Sequence, residues 1–147
     1  MSTIDLDRLS AVAREDVPAE YSKVLGISVA PWGTDAIVLV ATNEPPAVEL
    51  EQVVCTLESA VGWVVVMSSG GLSDVVYLGD VRARPIGDAN ELPSDISSVV
   101  VVDRGEEHDV PVTDGYFLYA AWKKDTPGDS TTDPPTPEIV RLVRRAT

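Results

Sequence analysis

Gly62-Trp63-Val64-Val65-Val66-Met67 is an unbroken apolar run that leaves through Ser68-Ser69-Gly70-Gly71, and the way it is read decides the fold. A strand apolar on both faces is one covered on both faces, so the run is expected to be a central strand. It holds no nucleophile, no metal ligand and no phosphate-binding loop.

The residues before it set its neighbours. Asn43-Glu44-Pro45-Pro46 resembles a helix start, because proline is tolerated where the first-turn N–H groups have no partner. On a helical wheel Leu50, Val53, Val54, Leu57, Ala60 and Val61 then share an arc of about 120°. Glu49, Glu51, Gln52, Cys55, Thr56, Glu58 and Ser59 fill the other side, and Gly62 is placed to end the segment. The spacing therefore predicts an amphipathic helix over 47–61, with Cys55 exposed on its polar side and Leu57 facing the core. Upstream, 36–41 is a second continuous apolar run. A strand, a helix and a strand in that order imply a right-handed βαβ crossover with parallel strands.

Further out, Leu6, Leu9 and Ala13 share a face behind the acids Asp5 and Asp7, which predicts a helix over 4–16. Leu25, Ile27 and Val29 alternate with small residues, and Pro31-Trp32-Gly33-Thr34-Asp35 separates them from 36–41, so a hairpin is expected with a half-buried first strand and a fully buried second. Trp32 lies in the turn, either folded back on the core or left out as a contact residue. Residues 74–84 are expected to pair antiparallel to 63–67, and 85–97 to form a surface loop. Val99-Val100-Val101-Val102 opens a meander turned by Asp103-Arg104-Gly105-Glu106 and again by Asp114-Gly115, with 116–122 as its last strand. Residues 125–136, rich in Pro, Thr and Asp, form a linker. In 137–147, Thr136 and Pro137 introduce a short basic amphipathic helix carrying Arg141, Arg144 and Arg145. The expected fold is α+β: one compact domain over 1–124, with a mixed, mostly antiparallel sheet of about six strands, helices packed on it, and the C-terminal helix on its linker.

Composition limits the function. The 147 residues carry 24 acids and 11 bases, a formal net charge of −13. A field of that sign repels nucleic acid and anionic lipid and favours a basic protein partner. The single cysteine allows no internal disulfide and no cysteine-based zinc site. The first residues have neither a basic nor an apolar signal region, and no apolar run approaches the roughly 20 residues of a membrane span, so a cytoplasmic protein is expected.

No catalytic constellation emerges. The one histidine, His108, lies among Glu106, Glu107 and Asp109, and consecutive acids cannot all point at one metal ion. Cys55 has Glu51 and Glu58 as helical neighbours, which disfavour a thiolate. No cofactor and no metal is expected. The sequence favours a non-catalytic protein-binding module, regulatory or inhibitory, with an acidic recognition face formed by Glu49, Glu51 and Glu58. Trp32, Arg141, Arg144 and Arg145 are further contact candidates, the arginines through a C-terminal helix that docks on its own domain or joins a homodimer. The rival readings are a small-molecule-binding domain or small enzyme, with its ligand near 68–72 or 85–97, and a structural subunit of a larger assembly.

Overall fold

The computed structural model describes residues 6–15, 17, 23–41, 50–70, 74–78, 80–87, 92–93, 95–113, 115–124 and 134–144. The chain divides into two compact units, Met1–Leu72 and Ser73–Thr147.

In the first unit, α1 (Leu6–Glu15) has Asp7 in its first turn and Arg14 in its last, each complementing the helix dipole. Four strands follow: β1 (Lys23–Val29), β2 (Asp35–Ala41), β3 (Leu50–Glu58) and β4 (Gly62–Gly70). They form one antiparallel sheet in the order β1-β2-β3-β4, each strand beside the next in sequence. The β1–β2 connection closes through the Ala30 N–H donating to the Asp35 carbonyl at 2.8 Å. Leu9, Val12, Ala13 and Val17 cover one face of this sheet, meeting Ala36, Val38, Val40, Val53, Cys55 and Trp63. Every residue of β2 is buried, as a strand apolar along its whole length requires, and β1 is mostly half-buried. The helix, the hairpin and the burial of β2 agree with the sequence reading wherever residues are described.

The rest of the expected α+β architecture is overturned. Among the described residues α1 is the only helix, and the sheets are antiparallel throughout. The segment expected as the 47–61 helix is, where described, strand β3 followed by a turn over 59–61, with β3 paired with β2 from Asp35↔Thr56 to Ala41↔Leu50 and with β4 on its other side. No βαβ crossover is formed. Val53, Val54 and Thr56 are β-branched and favour the strand. Residues of both faces are buried from Gln52 to Cys55, which erases the period of two that marks a half-exposed strand. β4, expected at the centre, lies at the sheet's edge. An apolar run says that side chains find cover; it does not say on how many sides the backbone is paired.

The second unit holds six strands: β5 (Val76–Leu78), β6 (Val81–Gly87), β7 (Ile96–Asp103), β8 (Glu106–Pro111), β9 (Leu118–Lys124) and β10 (Glu138–Arg144). They make two three-stranded sheets, β5-β6-β9 and β10-β7-β8. Ile96, Val99, Val101, Val110, Val112 and Phe117 form a core against which Ile86 of β6 and Tyr119 of β9 pack, so the two sheets meet face to face. The 74–84 segment expected to pair with 63–67 instead divides into the β5–β6 hairpin. Residues 85–87 and 96–97, expected in a loop, belong to β6 and β7. Arg104 and Gly105 have φ of 52° and 80°, the left-handed pair of a two-residue hairpin turn, and Asp103 pairs with Glu106 across it as expected.

The expected C-terminal helix is strand β10 on the edge of β7. Its register slips between Ile139 and Arg141, leaving Val140 as an extra residue. Ile139 and Leu142 therefore face the same way, opposite Val101 and Val99. This spacing of three imitates a helix. The 125–136 linker lies largely outside the described residues; Pro134 is held where its carbonyl accepts from Arg84 Nε at 2.8 Å.

Candidate functional site

Two buried carboxylates organise the polar groups of the described chain, one in each unit. In the first, Asp35 Oδ2 accepts from Trp32 Nε1 at 2.7 Å and Oδ1 accepts from the Thr56 hydroxyl at 3.2 Å. Thr56 Oγ1 also lies 3.0 Å from the Thr34 carbonyl, which accepts the Leu57 N–H. The sequence Trp-Gly-Thr-Asp thus folds its own turn around the first residue of β2. Trp32 is tied by its ring N–H and remains only partly covered.

In the second unit the site grows from strand parity. Residues 99, 101 and 103 of β7 share one face, so the run that buries Val99 and Val101 carries the Asp103 carboxylate toward the same interior. The side chain is 7% exposed. Tyr119, facing it from β9, donates its hydroxyl to Asp103 Oδ2 at 2.7 Å. Arg104 in the turn stands 3.4 Å from the same oxygen and donates Nη2 to the Trp122 carbonyl at 2.9 Å. His108, opposite Val101 on β8, places its ring 5.3 Å from that of Tyr119. Burial, and then the hydrogen bond to Asp103, push the Tyr119 hydroxyl well above its ordinary pKa of 10.0. A phenol held protonated in this way is a donor, not a base, and cannot initiate proton abstraction near neutrality.

Asp103 Oδ1 is buried without a hydrogen-bond partner, so the carboxylate is only half satisfied. Among the described residues no group of three His, Cys, Asp or Glu side chains is arranged to hold a metal ion. The arrangement fits a clasp joining the β7–β8 turn to β9. The sequence reading used Asp103 only as a turn residue and did not join it to Tyr119; counting by twos from Val99 and Val101 was the signal that placed Asp103 inside.

The residues singled out from the sequence are dispersed. Glu51 is partly covered and Glu58 exposed, near opposite ends of β3; Glu49 lies outside the described residues. The exposed helical face proposed for them does not exist, because β3 is paired on both edges. Arg141 and Arg144 are exposed on β10, where Arg144 ion-pairs with Asp95, and Arg145 is outside the described residues. Cys55, expected on the surface, is fully buried, and Leu57, expected in the core, is 39% exposed. His108 is partly buried on β8, while Glu106, Glu107 and Asp109 around it are exposed. Of the aromatic side chains suited to line a ligand site, Trp63 is enclosed in the α1-covered core, Tyr77 is exposed beneath the Arg82 guanidinium and Tyr119 is engaged by Asp103. Among the described residues no helix is long and apolar enough to cross a membrane.

The chain was compared with protein-family models, curated proteins and solved structures, and none of them matches.

Proposed function

We propose that this chain is a non-catalytic protein-binding module, regulatory or inhibitory in role, that offers carboxylates to a basic protein partner. The observation that carries this reading is the acidic edge strand β8, where Glu106, Glu107 and Asp109 are all exposed on a chain of net charge −13. Glu107 and Asp109 alternate with His108, so both project from one face of β8, and rigid placement on a strand reduces the ordering cost of recognition. Clustered charge of one sign steers a partner of the other and raises the association rate. This surface takes the place of the helical face first drawn through Glu49, Glu51 and Glu58.

The test is partner capture from the native host with cross-linking and mass spectrometry, repeated with a Glu107→Lys/Asp109→Lys variant. The reading requires a basic partner that the variant loses, and an association rate that falls as salt is raised past the screening range of about 8 Å at physiological strength. Capture that is indifferent both to the two substitutions and to salt would remove the acidic edge from consideration.

A further inference from the structure

An edge strand presents unpaired backbone N–H and C=O groups to any other strand, and folded proteins blunt such edges with charge, proline, brevity or irregularity. Among the described residues the three sheets leave six edges: β1, β4, β5, β8, β9 and β10. β5 is three residues long. β8 carries Glu106, Glu107, Asp109 and Pro111. β9 ends in Lys123-Lys124. β10 carries Glu138, Arg141 and Arg144 and slips register twice. β1 begins at Lys23 and slips register between Val24 and Gly26. β4 differs from the other five: it runs nine residues as Gly-Trp-Val-Val-Val-Met-Ser-Ser-Gly, with no charge and no proline. Its one irregularity is a register slip at Val66. The half of β4 beyond Val65 is exposed throughout, with Val66 47% and Met67 44% accessible.

We propose that the outer edge of β4 is an interface, and that its occupant is β4 of a second copy of this chain, paired antiparallel about a two-fold axis. Charge confines self-association to this edge, and the symmetry of the strand supplies the pairing. Two copies of a chain with net charge −13 repel one another across most of their surfaces. Residues 59–73 are the longest stretch of the sequence without a charged side chain, and β4 lies within it. Two such strands meet with no like charges in the pair. A strand rotated about a two-fold axis onto itself becomes antiparallel, so each outward N–H and C=O finds its counterpart on the same residues of the other copy. Cross-strand neighbours on the second copy also shield part of the exposed Val66 and Met67 side chains. The four-stranded sheet of each protomer becomes half of a continuous eight-stranded one, from twice the strands β1-β2-β3-β4. This contact is independent of the acidic edge β8.

Sedimentation equilibrium and light scattering of the full chain, from low micromolar to near-millimolar concentration, test the proposal alongside single Val66→Lys and Ser68→Lys variants. The expected result is a concentration-dependent mass approaching twice 15.7 kDa. The two-fold repeats each new lysine, so each variant should weaken dimerisation by about tenfold or more while leaving the far-ultraviolet circular dichroism of the chain unchanged. Arg141→Glu, on the edge of β10, should leave the dimer intact. If Val66→Lys does not fold, the more peripheral Ser68→Lys carries the test. A native chain that stays monomeric at the highest concentration overturns the proposal. So does a dimer that withstands both lysines, or one that Arg141→Glu dissociates while they do not.

Discussion

Cys55 lies in the middle of β3, opposite Ala36 of β2 and Val65 of β4, with no accessible surface. A reagent reaches such a thiol only when the sheet opens. A small thiol reagent is therefore expected to leave the native chain unlabelled and to react once denaturant unfolds it; labelling at the rate of an exposed thiol would place Cys55 on the surface after all. Cysteine is among the most commonly buried residue types, and that tendency was a better guide here than its position on a helical wheel. Tyr119 makes a second claim at this scale. Its pKa in the folded chain lies above the unfolded 10.0, so the protonated phenol contributes stability that is fully present below pH 10.0 and is lost as the pH rises beyond it. Tyr119→Phe removes the donor to Asp103 and should cost about 1–3 kcal/mol near neutrality. It should also flatten the alkaline loss of stability. Urea unfolding of both chains at neutral pH and above pH 10.0 measures the two effects, and equal alkaline slopes would show that the hydroxyl titrates elsewhere.

For whole elements, the pairing of α1 with its sheet can be separated from the periphery of β3. Leu9, on α1, is fully buried against the sheet and Leu57 stands 39% exposed near the β3–β4 turn. Leu9→Ala should cost about 2–5 kcal/mol, whereas Leu57→Ala should cost less than about 1 kcal/mol. Shifts in the chemical denaturation midpoint decide the matter, and a reversed order would mean that Leu57, not Leu9, is the side chain packed in the core. α1, the β1–β2 hairpin and the Arg104-Gly105 turn were legible because each is specified by neighbours in sequence: a capped apolar stripe, alternation, and a turn that needs φ above zero. β3 and β10 were not. The apolar residues of β3 repeat as on a helix because both faces of the strand are buried, and the extra residue at Val140 gives β10 its false helical spacing. Their β-branched content, Val53, Val54 and Thr56 in one and Ile139, Val140 and Val143 in the other, pointed to strands.

At the scale of the molecule, composition gave the charge and the absence of stapling cysteines, and the turn signals marked most of the places where strands end. Which strands pair was hidden, since β6 with β9 and β7 with β10 are contacts between residues distant in sequence, and no local pattern encodes a partner. The Asp103–Tyr119 contact was out of reach for the same reason, whereas the acidic run at 106–109 could be read directly. The two kinds of strand order have a consequence in time. In the first unit every strand pairs with its successor, so each pairing closes a short loop. In the second unit, β9 must return across the β7–β8 hairpin to reach β6, and β10 must return across β8 and β9 to reach β7. Loop closure is slower when the partners are far apart along the chain. During refolding, amides of β2 and β3 are therefore expected to gain protection from exchange before those of β9 and β10, with the β7–β8 hairpin among the early group. Pulse-labelled hydrogen exchange resolves that order. The kinetics carry a hazard with them: while β9 and β10 are still unpaired, β6 and β7 are open edges on a half-built unit, and the crowding of a refolding experiment would be felt there first.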